Sequence, residues 1–289
     1  MIEALSTQMA GTIALRPYFA AFLLAYFFAC SFHLGLKRAF LFAVAGYLIA
    51  WVSEYSSIHN GIPYGRYYYT GYTMGKELWV LGVPFMDSMS YVFLSYASYS
   101  LALFTLSPAI HPGSIYLLEN LKVRHSFSVR LVGALFCVCL DVIIDPVALK
   151  GDRWFLGAVY GYFERGVYFG IPLSNFAGWF VVAFILIYTL QLIDRILAAR
   201  KVKDMVGRAC TWRYLFGPAL YLSIIVFNLS VTLAIGEYTL LRAGALIVVV
   251  PLLLFISLMR MRLHGIGLDQ AIKAHIEDFP GAVVPNGRK

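Results

Sequence analysis

Charged residues are scarce in this chain. Only 13% of its 289 residues are Asp, Glu, Lys or Arg, while 61% are apolar; ordinary soluble domains contain about 25% and about 45–50%. A soluble protein of this composition would expose large apolar patches, whereas in a bilayer the same side chains face lipid. The composition therefore excludes an ordinary soluble domain and predicts an integral membrane protein surrounded by membrane lipid.

Several chemical signatures are also missing. The four cysteines show neither the paired spacing of metal sites nor a disulfide framework. The sequence contains no HExxH motif, no phosphate-binding glycine loop, no Rossmann fingerprint and no serine nucleophile elbow. Aspartate-rich DDxxD clusters are absent as well, which argues against a prenyltransferase. We therefore expect neither an organic cofactor nor a metal, with a metal held by His59 near Glu54 as the less favoured alternative.

The formal net charge of +8 raises the question of a nucleic-acid partner. The basic residues, however, lie in short segments between apolar runs, where they orient transmembrane helices. We therefore expect no nucleic-acid binding.

Long apolar stretches account for most of the chain. A hydrocarbon core about 30 Å thick needs roughly 20 mostly apolar residues per helix. We predict an all-α polytopic bundle of about seven transmembrane helices, forming a single domain over residues 1–289 with a polar carboxyl-terminal tail at 263–289. The predicted helices are approximately residues 17–35, 38–57, 84–107, 128–147, 172–194, 213–235 and 239–260.

The chain also contains an internal repeat. The motif GVPFMD opens the third predicted helix at residues 82–87, and GIPLSN opens the fifth at residues 170–175. Acidic residues end the helix that precedes each motif, namely Glu54 in the first case and Asp141 with Asp145 in the second. Two helical hairpins are thus predicted to be parallel copies whose polar ends converge on one membrane face. The copies span about residues 38–107 and 128–194.

Four carboxylates at membrane depth are the candidate catalytic groups: Glu54, Asp87, Asp141 and Asp145. An ionisable residue at this depth costs roughly 2.5–3.5 kcal/mol, so a function is the default hypothesis. Asp141 and Asp145 are spaced i, i+4 and share one helix face, which suits a general acid beside a general base. The alternative is that the acids cap helix ends or pair with loop arginines. Those arginines are Arg66, Arg153 and Arg165.

The second and fourth connections are too rich in glycine and aromatic residues for ordinary solvated loops. An aromatic belt at the membrane interface explains part of this pattern, and a pocket lined by aromatic faces that attract cations explains the rest. Single amides such as Asn175 either contact substrate or form interhelical hydrogen bonds. The candidate substrate-binding residues are His59, Arg66, Tyr68, Trp154, Tyr162, Asn175 and Trp179.

These motifs resemble those of the carotenoid biosynthesis membrane family. The resemblance is carried by Glu54 with the segment at residues 59–70, by Gly82-Val83-Pro84, by Asp145-Pro146, and by residues 168–179, which include the run GIPLSNFAGW. It covers roughly residues 15 to 262. Characterised members hydrate the acyclic end groups of carotenoids in bacteria and archaea. The resemblance implies a multi-pass enzyme of a prokaryotic cell membrane that takes a long apolar polyene and water; a homo-oligomer is compatible with it.

Such a hydration needs few groups. A proton is added to the less substituted carbon of the terminal 1,2 double bond, and water attacks the resulting tertiary cation to give a tertiary alcohol. Our sequence-based hypothesis makes Asp141 or Asp145 the acid and assigns water positioning to Glu54 or Asp87. Cation stabilisation is assigned to aromatic residues, namely Tyr68, Trp154 and Tyr162. The alternatives are a polyene or lipid isomerase or cyclase that excludes water, and a non-enzymatic carrier of an apolar ligand.

The distribution of Lys and Arg predicts the orientation in the membrane. The first, third and fifth connections and the tail hold more cations for their length than the even connections. Because basic loops stay in the cytoplasm, we predict an outside amino terminus and a cytoplasmic carboxyl terminus.

A reporter fused after residue 265 should therefore be cytoplasmic. The matching fusion after residue 165, in the fourth connection, should be extracytoplasmic. A periplasmic signal from the first fusion would overturn the predicted orientation.

Overall fold

The computed structural model describes residues 2–110, 116–202, 212–265, 267–279 and 284. Within these residues the chain is mostly helical, with short strands in the connections. The helices are α1 (Ile2–Leu15), α2 (Pro17–His33), α3 (Leu36–Asn60), α4 (Phe85–Leu106), α5 (Leu121–Arg124), α6 (Phe127–Ala148), α7 (Leu173–Ala199), α8 (Arg213–Ala234), α9 (Tyr238–Gly265) and α10 (Leu268–Asp278). The strands are β1 (Tyr67–Tyr69), β2 (Trp79–Val80), β3 (Val83–Pro84), β4 (Ala109–Ile110), β5 (Tyr116–Leu117) and β6 (Tyr160–Tyr162).

Six helices in the described part of the chain are long and apolar enough to cross a membrane unaided: α3, α4, α6, α7, α8 and α9. A seventh span results if α1 and α2, which meet at a bend of 97°, are taken together. The predicted all-α membrane bundle is therefore confirmed. The predicted single domain and the internal repeat stay predictions, although Pro84 and Pro172 do occupy equivalent positions as the residues that cap α4 and α7.

Three helices extend further than the sequence predicted, and one of them is α9, which continues past residue 260 to Gly265. Helix α3 continues past residue 57 to Asn60 and ends where Gly61 adopts a left-handed conformation, with φ of 80°. Helix α7 continues past Asp194 to Ala199. Asp194 looked like a membrane boundary in the sequence because it is charged, but its side chain is fully buried in an ion pair with Arg38, whose Nε lies 2.5 Å from Oδ1 of Asp194.

Helix α4 lies at the centre of the bundle, packed against α3, α6 and α8. Small residues allow this close approach, since serine and alanine recur along its buried surface. The buried hydroxyls bond within the helix: Ser95 donates to the carbonyl of Tyr91 at 2.5 Å, and Ser98 donates to that of Leu94 at 2.8 Å. A helix buried on nearly all sides therefore carries polar side chains without leaving these hydroxyls unsatisfied.

The loop after α3, at residues 61–66, packs against the GIPLSNFAGW run at residues 170–179 at one end of the bundle. A Cβ at Gly178 would lie 2.7 Å from the carbonyl oxygen of Pro63, so only glycine lets the loop after α3 rest on α7. At this contact the Ser174 hydroxyl donates to the carbonyl of Tyr64 at 3.3 Å. Trp179 continues the contact with its ring centroid 6.1 Å from that of Tyr64. We call this the motif end of the bundle.

The opposite end contains a buried ion-pair network. Nε of Arg124 lies 2.8 Å from Oε2 of Glu119, and Nε2 of His33 lies 2.6 Å from Oε1 of the same carboxylate. Asp194 contacts His125 at 2.9 Å and Arg124 at 3.6 Å. Together with Arg38 of α3, which pairs with Asp194, these contacts join four segments at this end: α2, α3, residues 119–125 and α7.

Helix α10 docks beneath this network. Nδ1 of His275 lies 2.5 Å from the carbonyl oxygen of Glu119, and the Leu121 backbone amide donates to Oδ2 of Asp278 at 2.7 Å. This described part of the predicted polar tail therefore packs on the bundle. The remainder of the tail, residues 266, 280–283 and 285–289, lies outside the described residues.

The pKa of Glu119 reflects its partners. Burial alone would raise it, but charges and hydrogen bonds from His33 and Arg124 lower the pKa of this carboxyl well below its usual range. A carboxyl with a lower pKa in the folded than in the unfolded protein stabilises the fold above its unfolded pKa of about 4.3. That contribution is lost as the pH falls below this value.

The substitution Glu119→Gln should therefore lower the free energy of unfolding at pH 7 by roughly 3–5 kcal/mol, the usual result of breaking a buried ion pair. Thermal unfolding in detergent measures this loss, and the gap to the parent protein should narrow when both are measured below about pH 4. Glu277→Gln, at a side chain 64% exposed, is the matched control and should change little. An equal stability difference between Glu119→Gln and the parent protein at both pH values would contradict the assignment of Glu119 to a buried ion pair.

Candidate active site

The four carboxylates predicted from the sequence meet in one chamber at the motif end. Glu54 comes from α3, Asp87 from the first turn of α4, and Asp141 and Asp145 from the last part of α6. The chamber has a volume of about 110 Å³, whereas one buried water needs roughly 10–15 Å³. It therefore has room for several water molecules beside the acids.

Asn175 links the two aspartates of α6. Its amide nitrogen donates to Oδ2 of Asp141 and to Oδ2 of Asp145, each at 3.0 Å. Tyr162 donates to the same Oδ2 of Asp145 at 2.8 Å, and Tyr160 donates to its Oδ1. Asp145 thus accepts hydrogen bonds from three neutral side chains, which come from α7 and β6.

Glu54 and Asp87 form the other acidic part of the chamber. The Ser88 hydroxyl donates to Oε2 of Glu54. Asp87 lies in the first turn of α4, where the positive end of the helix dipole favours an acidic side chain. Burial, with Asp87 and Glu54 close by, raises the pKa of Tyr69 well above its usual value. Tyr69 therefore keeps its proton and remains a donor beside both acids.

A ribbon of tyrosines covers the chamber. Strands β1 and β6 pair antiparallel, and the register places Tyr67 opposite Tyr162 and Tyr69 opposite Tyr160. All four line the chamber. Burial, together with Asp145, raises the pKa of Tyr160 and of Tyr162 well above the usual value for a phenol. Both hydroxyls therefore stay protonated above the carboxylates.

Three of the predicted substrate-binding residues line the chamber: Tyr162, Asn175 and Trp179. Trp179 stacks on Tyr91 with ring centroids 4.1 Å apart and planes within 2° of parallel. The amide of Asn175 is used for hydrogen bonds between α7 and α6, which matches the interhelical alternative considered from the sequence. Trp154 does not line the chamber but lines an adjoining apolar cavity.

The other three predicted binding residues lie outside the chamber. Tyr68 is on the outer face of the ribbon, 43% exposed and packed against Phe163, because successive side chains of a strand point to opposite faces. His59 and Arg66 line a separate open cavity of about 550 Å³ at the protein surface. Of the loop arginines considered as partners for the acids, Arg153 pairs with Glu237 instead.

Sequence reasoning missed several chamber residues. Tyr67, Tyr69 and Tyr160 were not singled out from their aromatic-rich connections, and Ser88 was not considered. The available signal was the pair of tyrosine-rich segments, YYY at residues 67–69 and YGY at residues 160–162. Because side chains of a strand alternate between two faces, these segments identify the inward tyrosines only when the strand pairing is known.

A second, apolar cavity adjoins the chamber. It has a volume of about 100 Å³ and lies between α2, α4, α6 and α8 and the loop after α6. Its lining is mainly aromatic and aliphatic and includes Phe22, Trp154, Ile224 and Phe227. The structure thus joins a polar compartment to an apolar one. Residues common to the two linings are Asp87, Ser90, Leu94, Ile144, Ala148 and Tyr160.

In the described residues, no group of three or more His, Cys, Asp or Glu side chains could hold a metal ion. The expectation that the protein needs neither metal nor cofactor stays a prediction.

The sequence matches the carotenoid biosynthesis protein family over residues 12–251. The chain belongs to this family. It is 28% identical over 236 residues to the bisanhydrobacterioruberin hydratase of Haloarcula japonica, an alignment that covers 78% of this chain and 72% of the relative. No solved structure shows significant similarity to it. The family resemblance inferred from the motifs is thereby confirmed, and this carotenoid biosynthesis protein has a hydratase among its relatives.

The tyrosine ribbon yields a matched pair of variants. Tyr162→Phe removes a hydrogen bond to a buried carboxylate and should lower the free energy of unfolding by roughly 1–3 kcal/mol. Tyr68→Phe, the same change on the outer face of the ribbon, should stay within about 0.5 kcal/mol of the parent protein. Thermal unfolding in detergent compares the two, and equal losses would contradict the register.

Proposed function

We propose that this protein is a carotenoid hydratase that adds water to the terminal 1,2 double bond of an acyclic carotenoid end group. The observation that carries the proposal is the chamber, in which four carboxylates and neutral proton donors surround space for water next to an apolar cavity. The hydratase from Haloarcula japonica supports the same reaction class. The substrates are then a long apolar polyene dissolved in the membrane and water.

The reaction is redox neutral and requires one acid and one base. A carboxylic acid transfers its proton to the less substituted carbon of the double bond, and the π electrons form the new C–H bond. The other carbon becomes a tertiary cation, which water attacks through oxygen. A carboxylate takes the proton that the water releases. The sum is one polyene and one water converted to one tertiary alcohol, without an organic cofactor.

The aromatic lining suits the cationic intermediate. Aromatic faces carry negative quadrupole density that attracts a cation, and the rings of Tyr67, Tyr91 and Trp179 lie in the chamber wall. These rings take the stabilising role that the sequence-based hypothesis gave partly to Tyr68, which faces outward.

The alternatives make different demands on this chamber. An isomerase or cyclase would use the same acids and rings but would have to keep water away from the cation, and the polar volume among the carboxylates favours hydration. A carrier of apolar ligands would need the apolar cavity but no acids.

Placement in the membrane follows as part of the proposal. The apolar helices make this an integral membrane protein. We further propose a prokaryotic cell membrane, with the amino terminus outside and the carboxyl terminus in the cytoplasm. The chamber then lies toward the extracytoplasmic face.

The double substitution Asp141→Asn with Asp145→Asn tests the proposal. General acid and base catalysis contributes roughly 10²–10⁴-fold, so alcohol formation should fall at least roughly 100-fold in cells that make lycopene. Mass spectrometry of the pigments measures the gain of one water. Asp152→Asn, at an exposed acid in the loop after α6, should leave the product unchanged. Undiminished hydration by the double variant, or a product without added water from the parent protein, would refute the proposal.

A further inference from the structure

Helices α2 and α8 form one wall of the apolar cavity. From these helices Phe22 and Phe227 line it, both half-buried, with ring centroids 5.6 Å apart in an edge-to-face contact. Their neighbours Leu24 and Val226 are 70% and 62% exposed on the apolar outer surface. Helix α2 contains no Asp, Glu, Lys or Arg, and α8 contains only Arg213 at its first residue. A hydrocarbon chain that approaches these two helices from the bilayer therefore meets an apolar surface.

The inner end of the apolar cavity borders the acidic chamber, and one carboxylate lies at this border. Among the four chamber carboxylates, Asp87 alone borders both compartments in the described part of the chain. Ser90 and Tyr160 border both compartments as well, and the Tyr160 hydroxyl donates a hydrogen bond to Oδ1 of Asp145. The junction therefore has Asp87 on one wall and the Tyr160–Asp145 pair on another.

The two acidic parts of the chamber have different hydrogen-bonding roles. Asp87 and Asn175 are both the third residue of their helices, each following a Gly-x-Pro motif. In the second repeat the amide of Asn175 always donates, and it holds Asp141 and Asp145 as acceptors. In the first repeat the equivalent residue is Asp87, whose carboxyl group can both donate a hydrogen bond and release its proton.

We propose that the apolar cavity holds the end of the acyclic polyene, that Asp87 is the acid that protonates its terminal double bond, and that Tyr160 with Asp145 orients the attacking water. This inference rests on the proposed hydratase function and reverses the roles that the sequence suggested for the acids. A volume of about 100 Å³ on the apolar side is several times the roughly 10–15 Å³ that one water requires, which suits the branched terminal isoprene unit.

The step balances within these groups. The Oδ–H bond of Asp87 breaks as a C–H bond forms at the less substituted carbon, and the tertiary cation lies at the junction. Water adds through oxygen and releases its proton to Asp145. Asp145 then passes this proton through chamber water to Asp87, which restores both groups and completes the cycle.

Lycopene binding to purified full-length protein tests the cavity independently of catalysis. Ile224→Trp fills the cavity and should weaken binding at least tenfold, whereas Val226→Trp, two residues along α8 on the lipid face, should bind as the parent does. A second pair covers the case in which the larger residue prevents folding: Phe22→Ala should weaken binding and Leu24→Ala should not. Parent-like binding by a folded Ile224→Trp or Phe22→Ala variant would overturn the cavity assignment.

Steady-state hydration of lycopene tests the acid. Asp87→Asn should keep lycopene binding but lower kcat at least roughly 100-fold, and Asp87→Glu should restore part of it. Asp152→Asn, at an exposed acid outside both compartments, should keep the parent kcat. If Asp87→Asn retains a tenth or more of the parent kcat, Asp87 is not the acid. If the parent protein hydrates nothing, the hydratase proposal fails, while the binding comparison still decides where the polyene sits.

Discussion

The structure depends on how buried carboxylates are satisfied within a bundle that lipid surrounds. An acid at membrane depth is stable only when other segments supply donors or cations. Asp145 receives its donors from α7 and β6, and Asp194 receives its cations from α3 and from the segment before α6. These contacts determine which helices adjoin and where the connections fold back.

The two ends of the bundle meet this requirement in different ways. At the α10 end, Glu119 and Asp194 face arginine and histidine, so these carboxylates are held in ion pairs. At the motif end Glu77 pairs with Arg16, but the chamber acids Glu54, Asp141 and Asp145 face serine, asparagine and tyrosine. A neutral donor positions a carboxyl group without fixing its charge, so a proton can move there. The first arrangement suits structural stability and the second suits proton transfer.

Much of the architecture was predictable from sequence because it is local. Apolar stretches of bilayer length predicted the membrane-spanning helices, with Pro84 and Pro172 marking the starts of α4 and α7. The four acids were recognisable because charge is rare in such stretches. The end of α7 was not predictable in this way. Asp194 resembles a residue at the membrane interface until its partner Arg38, 156 positions away in the chain, is known.

The sequence by itself determined the membrane environment, the helices, the candidate acids and the family, because hydropathy and short motifs are properties of contiguous residues. Only the tertiary structure decided which tyrosines face the acids, that Tyr68 points away from them, and that the polar chamber adjoins an apolar cavity at Asp87. These features depend on the pairing of β1 with β6 and on the packing of α2 against α8. Contacts between segments so far apart in the chain leave no periodic pattern in either segment alone.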